Sequence, residues 1–272
     1  MRVLVAAILA LALTAGLAAM AGGAGSPVAS DRAAGHQRDG SCLATARIEA
    51  AERYAKRRAG RISFAVRDEC GRLVGSHRFR VHHSASVVKV MMMVAYLNLG
   101  DVRDRELRRS ERKLLGPLIK KSSDESANEL YGILGERRIE AVARRANMRR
   151  FSTQPTWGLS RITAGDQARF VLRLERYLSR RHEDYALGLM ARVIDPQRWG
   201  MPRVKPKGWK IRLKGGWSGA TSGEGWRVNQ VARLENGDRR FSAAILTRFN
   251  PSFGYGRQTI KGVARRLFAD VR

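Results

Sequence analysis

The segment SVVKVMMMVAYLNL, residues 86–99, determines how the rest of the chain is interpreted. It is apolar along most of its length and too long for an ordinary strand, so it predicts a helix buried on most sides. Ser86 stands at the helix start, and Lys89 follows one turn later on the same face. A lysine facing the core is costly unless it has a task, so the pair is a candidate nucleophile and base. A serine cap followed by a surface-reaching lysine would give the same pattern.

Strand patterns precede this segment, helical patterns follow it, and strand patterns return after Pro206. Apolar periodicity, turn residues and helix-breaking residues together define the elements. In chain order we predict a helix over 43–58, strands over 62–66 and 73–79, the helix after Ser86, helices within 102–150 broken at Gly116-Pro117 and Gly135, helices over 165–181 (capped by Thr163) and 186–194, strands over 209–214, 226–234 and 241–247, and a helix over 253–271. The dipeptide Asn236-Gly237 is a strong hairpin signal between the last two strands.

This layout predicts an α/β fold with an additional all-α lobe. Both strand groups would join in one antiparallel sheet, with the terminal helices on one face. The single domain, residues 42–272, would have an α/β lobe at 42–82 and 203–272 and a helical lobe at 83–202. A functional site would lie in the crevice between the lobes.

The N-terminal residues predict export. Arg2 precedes an almost unbroken apolar run, and Ala19-Met20-Ala21 offers a small-residue cleavage site, so residues 1–21 are interpreted as a signal peptide. A membrane anchor is the alternative, although the run is at the short limit for spanning. Residues 22–41, rich in Gly, Ala and Ser, predict a flexible leader. We therefore expect a secreted or cell-wall-associated protein.

The two cysteines, Cys42 and Cys70, both lie after the predicted cleavage site. An even number in an exported protein predicts one disulfide between them. Two buried free thiols are the alternative. We expect no metal and no cofactor.

The chain carries 52 Lys and Arg against 24 Asp and Glu, a formal net charge of +28. Such an excess indicates an anionic partner. Export argues against nucleic acid and favours anionic wall polymers or lipid headgroups, while a solvated, Arg-rich surface without a partner is the alternative. We expect a monomer.

Two further motifs follow the Ser86 segment. Ser122-Ser123-Asp124 precedes a helical pattern, where an ordinary capping segment would look the same. Lys214-Gly215-Gly216 ends a predicted strand and is followed by Trp217. Its glycines would let a ligand backbone approach the strand edge, and a tight turn is the alternative.

The order S-x-x-K, S-D-N, K-T-G is the signature of class A β-lactamases and penicillin-binding proteins. The chain resembles that superfamily over essentially all of its mature part, and most closely the secreted class A β-lactamase-like hydrolases of actinobacteria. The resemblance implies that Ser86 is acylated, Lys89 activates it, and Ser122 relays a proton to the leaving group. Lys214 would hold the substrate carboxylate and the Ser122 hydroxyl. The backbone amides of Ser86 and Trp217 would form the oxyanion hole.

The second motif departs from the family pattern. Counting back from Ala127-Asn128 favours Ser122 as the relay serine, and Ser123 stays open. Asp124 stands where the family has an asparagine that contacts a substrate amide. With Gly216 and Trp217 it makes up the predicted substrate-binding set.

The third motif has Gly215 in place of a hydroxyl residue, and residues 148–165 contain no Asp or Glu. Class A enzymes carry in that loop a glutamate that positions the deacylating water. We therefore expect a serine hydrolase acting on a peptide, ester or β-lactam acyl donor, with weak β-lactam turnover. The alternative is a catalytically impaired homologue that binds an anionic cell-wall polymer.

Overall fold

The computed structural model describes residues 43–68, 70–219, 225–269 and 271. Short 3₁₀ turns connect several of the helices and strands. The main elements are α1 (Thr45–Lys56), β1 (Arg61–Arg67), β2 (Leu73–Val74), β3 (Val81–His83), α2 (Lys89–Leu97), α3 (Arg109–Lys120), α4 (Asp124–Arg145), β4 (Arg161–Thr163), α5 (Ala164–Leu172), α6 (Arg180–Ala191), β5 (Lys210–Ser218), β6 (Trp226–Asn236), β7 (Arg239–Asn250) and α7 (Phe253–Phe268).

Both strand groups form one antiparallel sheet with the order β2-β1-β7-β6-β5, as predicted. β1 lies beside β7, with Phe64 opposite Ile245. β6 and β7 form a hairpin in which Asn236 pairs with Arg239. Gly237, in the turn, has φ 57°, a left-handed conformation that glycine adopts at little cost.

Alternation along the strands divides the interior into two hydrophobic cores, one on each face of the sheet. Phe64 and Ile245 point into the core that contains Leu267 of α7. Ala65 and Ala244 point the other way, into the core built on α2 and the other inserted helices. Every residue of α2 is buried, which confirms the prediction made from its apolar sequence.

Two predicted helix boundaries were wrong. Gly116-Pro117 does not break α3, which continues to Lys120 with Pro117 inside it. Burial of Leu118 and Ile119 beyond the proline contributes about 1.5–3 kcal/mol for each side chain, which offsets a proline cost of about 3 kcal/mol. The predicted helix over 165–181 is instead divided between α5 and α6.

The predicted second strand, 73–79, was also too long. β2 stops after two residues because Gly75, with φ 144°, packs directly against the backbone of Phe64. The chain then forms β3, which pairs with β4 in a separate two-stranded sheet that the sequence did not predict. By contrast, the break at Gly135 (φ 61°, ψ 170°) and the cap at Thr163, whose hydroxyl accepts from Asp166 N, are confirmed.

The predicted signal peptide, leader and Cys42 lie outside the described residues, so the cleavage site and the Cys42–Cys70 disulfide stay predictions, as do the lobe boundaries. Within the described ranges, no helix has both the length and the apolar character needed to cross a membrane.

Candidate active site

Ser86 lies on a 3₁₀ turn, Ala85–Val88, that runs directly into α2. Its side chain is largely buried at the base of a cleft. The preceding residue, Ala85, has φ 43°, an unusual conformation for a residue with a side chain. The backbone before the turn is anchored, because Ser84 N donates to Ser160 O at 2.8 Å.

Lys89 is the first residue of α2, and its side chain is completely buried. Its Nζ donates to Ser122 O (2.8 Å), Ser123 O (3.1 Å) and Asp124 Oδ1 (2.6 Å). These bonds use the three hydrogens of an ammonium group. Burial lowers the pKa of Lys89, while the hydrogen bond and charge of Asp124 raise it. The net effect is that the pKa of Lys89 lies below its ordinary value, while Asp124 stays hydrogen-bonded to it.

The two serines of the second motif have different positions. Ser122 has φ 62°, and its Oγ accepts a 2.6 Å hydrogen bond from Lys214 Nζ. Ser123 is the N-cap of α4, and its Oγ accepts from Ser126 N at 3.1 Å. The structure thus places the Ser122 hydroxyl beside the second lysine and uses the Ser123 hydroxyl to begin a helix.

Lys214 is completely buried on β5 and also donates to Gly215 O at 2.6 Å. Burial lowers its pKa well below the ordinary lysine value, the charge of Lys89 lowers it further, and Asp124 acts in the opposite direction. Two buried lysines therefore share one nearby carboxylate, which favours a state with fewer than two protonated amines.

Strand β5 approaches the nucleophile turn so closely that only glycine fits at position 216. A Cβ there would lie 2.7 Å from Ser86 N and 2.8 Å from Val87 N. This contact brings the backbone around Trp217 next to the Ser86 amide, the pair predicted to form the oxyanion hole.

Gly215 faces the other side of the strand. A Cβ at this position would lie 2.7 Å from the ring of Trp199. Trp199 packs edge-on against Trp217 and Phe253, with centroids 6.2 and 5.8 Å away. The space beside the position of the family's hydroxyl residue is thus filled by an aromatic cluster.

A cavity of about 390 Å³ opens above Ser86. Its walls include Asp124, Trp157, Trp217, Ser218 and Arg227. Among the described residues that line it, Asp124 is the only acid. Across the described ranges, no three His, Cys, Asp or Glu side chains come together as metal ligands.

Sequence reasoning missed two residues around this cavity. Trp157 comes from the loop that lacks a carboxylate; its ring centroid lies 4.5 Å from Lys89 Nζ, and its Nε1 donates to Asn128 Oδ1 at 2.8 Å. Arg227, on β6, lies within 3.4 Å of Ser218 Oγ. The lone tryptophan in that loop was a usable signal, whereas Arg227 was hidden among 52 basic residues.

A buried serine and a buried lysine one turn apart, a second serine bonded to a second lysine, and a strand edge beside the nucleophile define a serine hydrolase of the β-lactamase type. The chain belongs to the β-lactamase enzyme family, whose model matches residues 100–271. That match includes Ser122 and Lys214, and it begins after Ser86 and Lys89.

Solved β-lactamases share the fold. The structure is similar to a β-lactamase from Sphaerobacter thermophilus DSM 20745 (TM-score 0.69, 19% identity, 80% of this chain and 94% of that chain covered). It is also similar to the class A β-lactamase from Mycobacterium abscessus (0.67, 20%, 81% and 97%) and to a β-lactamase from Chitinophaga pinensis DSM 2588 (0.70, 14%, 82% and 98%). No curated protein matches the sequence.

Proposed function

We propose that the protein is a secreted hydrolase that forms an acyl-enzyme at Ser86 and hydrolyses β-lactams slowly. The observation that carries this proposal is the bonding around Ser122. Its hydroxyl binds Lys214 and its carbonyl binds Lys89, so the second and third motifs meet beside the helix that carries the nucleophile.

Acylation begins when the Ser86 hydroxyl oxygen bonds to the acyl carbon of the substrate. Lys89 accepts the Ser86 proton in its neutral form, which keeps two of the three hydrogen bonds that the ammonium group donates and leaves a lone pair free. The carbonyl electron pair moves to the oxygen, which the backbone amides of Ser86 and Trp217 stabilise; such a donor contributes about 2.7–4 kcal/mol. Burial of Lys89 favours the neutral amine that this step requires.

The leaving group departs with a proton from Ser122. Because Lys214 donates to Ser122 Oγ, the hydroxyl hydrogen is free to point toward the leaving atom. The bond from the acyl carbon to that atom breaks, and the atom takes the Ser122 proton. Ser122 is then reprotonated by the Lys89–Lys214 pair, which received the Ser86 proton, so the pair holds the same total as before.

Deacylation requires water and a general base. Residues 148–165 supply no carboxylate, and Trp157 from that loop covers Lys89 instead. Asp124 is already bound to Lys89. A general base typically contributes about 10²–10⁴-fold to the rate. Hydrolysis of the acyl-enzyme should therefore be slower than its formation, so the acyl-enzyme should accumulate.

Intact mass spectrometry after mixing with a reporter β-lactam or an activated ester tests this proposal. We expect one adduct per chain that accumulates and is absent from Ser86→Ala. Ser122→Ala and Ser123→Ala form a matched pair. The first should slow acylation, while the second should retain it and lose about 1 kcal/mol of stability through the missing cap.

Two results would contradict the proposal. Rapid β-lactam turnover without an accumulating adduct would show that another group activates the deacylating water. The absence of any adduct from the folded protein, with every acyl donor tried, would instead favour a catalytically impaired homologue whose function is binding.

A further inference from the structure

Away from the catalytic cavity, five arginines surround the exposed ring of Phe79. They come from the loop before β3, the loop after α4, and α5. We call this set the arginine cluster; its members are Arg78, Arg80, Arg149, Arg150 and Arg169.

Phe79 forms the centre of the cluster and is 38% exposed. The guanidinium carbons of Arg78 and Arg169 lie 5.2 and 5.9 Å from its ring centroid. Arg150 Nη1 donates to Phe79 O at 3.0 Å. The loop is fixed from beneath, because Gly165 N donates to Arg78 O at 2.7 Å. The guanidinium groups are thus presented by an anchored surface.

The charge of the arginine cluster is largely uncompensated. Arg169 pairs with Asp166, whose carboxylate also accepts from the Thr163 hydroxyl. Within the described part of the chain, the other four arginines form no ion pair. Repulsion among these like charges raises the free energy of the folded protein. An anionic ligand would offset the repulsion, so its binding would be favourable.

The surface contains two adjoining hollows of about 380 and 330 Å³. Both are lined by Phe79 and Arg150. Arg78 and Arg80 line the first, while Arg149 and Arg169 line the second together with Asp166, whose carboxylate is already paired with Arg169. Two neighbouring positions, each with several guanidinium groups, suit two successive anionic groups of one chain.

We propose that the arginine cluster binds a linear phosphate polymer, with successive phosphates in the two hollows. Guanidinium groups pair with phosphate oxygens through two parallel hydrogen bonds, and a phosphate has enough oxygens to engage two arginines at once. A lipid surface is less suited, because Phe79 is the only exposed large apolar side chain of the cluster and membrane association needs a broader apolar face. The site shares no residue with the catalytic cavity, so it is a function additional to acyl transfer.

Strand β3 of the two-stranded sheet connects the arginine cluster to the catalytic turn. Arg80 immediately precedes β3, and Ser84, at the other end of β3, begins the turn that carries Ser86. Three residues of strand span about 10 Å. A polymer held at the cluster would therefore keep the catalytic cleft close to the material to which that polymer belongs.

Binding of poly(glycerol phosphate), measured by calorimetry at several salt concentrations, tests the proposal. The test variant is Arg78→Gln/Arg149→Gln/Arg150→Gln. The control is Arg57→Gln/Arg137→Gln/Arg265→Gln, which removes the same charge from exposed arginines outside the cluster. We expect about tenfold or greater weakening and a shallower salt dependence for the test variant only. Both variants should retain the Ser86 adduct, which shows that the fold and the catalytic site are intact.

Equal weakening in both variants would overturn the proposal, because affinity would then follow total charge. Poly-glutamate of matched charge that binds as tightly would overturn the assignment to phosphate. Tighter cluster-dependent binding to anionic vesicles, or to a single-stranded oligonucleotide, would replace the polymer with a lipid surface or nucleic acid.

Discussion

Gly216→Ala would insert one methyl group between β5 and the nucleophile turn. The new Cβ would lie 2.7 Å from Ser86 N, 2.8 Å from Val87 N and 3.1 Å from Ser84 O. All three are backbone atoms, which cannot rotate out of the way. Since ordinary contact begins at about 3.4 Å, the strand and the turn must separate by about 0.7 Å.

This displacement moves the two amides of the predicted oxyanion hole apart. Loss of one such donor costs about 10²–10³-fold in rate, and a misplacement of about 1 Å can cost about 10²-fold. We therefore expect acylation of Gly216→Ala to be about 10²-fold slower. The added methyl should also reduce the free energy of unfolding by about 1–3 kcal/mol.

The assay is the single-turnover acylation rate, followed by intact mass and paired with a urea unfolding curve. Gly215→Ala is the matched control, because its Cβ meets the Trp199 ring on the opposite side of the same strand; it should lose stability with a smaller effect on acylation. Gly132→Ala, in open space within α4, should gain about 0.5–1 kcal/mol. Equal acylation rates for Gly215→Ala and Gly216→Ala would refute the reasoning.

Three further predictions concern the site and the fold. Asp124→Asn removes the carboxylate that raises the pKa of Lys89, so the acid limb of the acylation pH profile should move to lower pH; an unmoved limb would exclude Lys89 as the base. Gly215→Thr restores the family's hydroxyl but places Cβ against Trp199, so thermal unfolding should occur at a lower temperature with no gain in acylation rate, and faster acylation at unchanged stability would contradict this. Glu111 accepts two hydrogen bonds from Arg105, which lower its pKa from 4.5 to about 2. Glu111→Gln should therefore cost about 1–2 kcal/mol at neutral pH. Because the wild-type contribution is complete above pH 4.5 and is lost as the pH falls through about 2, urea curves for the two proteins should converge over that range, and a constant difference would contradict the assignment.

Much of the sheet and the buried helix could be predicted because alternation and apolar run length report burial directly. The errors occurred where distant contacts override local preference. Pro117 stays inside α3 because the residues beyond it are buried. The helix predicted over 165–181 divides where Leu174 is fully buried and Tyr177 O accepts from Asn98 Nδ2. Asn98 is far from Tyr177 in the sequence, so local periodicity could not reveal this contact.

For the candidate site, motif order indicated the residues that the structure groups around Ser122. Motif order could not reveal which side chains fill the space left by the absent loop carboxylate and by the absent hydroxyl at position 215. The absence of a carboxylate from residues 148–165 was visible in the sequence, but the position of Trp157 over Lys89 depends on Asn128 in α4. Likewise, Gly215 looked like a lost hydroxyl, whereas Trp199 fills the space beside it.

The pairing of β1 with β7 has a consequence for how the chain folds. Phe64 lies opposite Ile245, so this pairing joins two strands that are far apart in the sequence. Closing so long a loop costs chain entropy before any pairing is gained, which slows folding. During synthesis, β1 has no neighbour on that side until β7 has been made. A chain that ends prematurely before β7 should therefore expose an apolar strand edge prone to aggregation, even when its helices have formed.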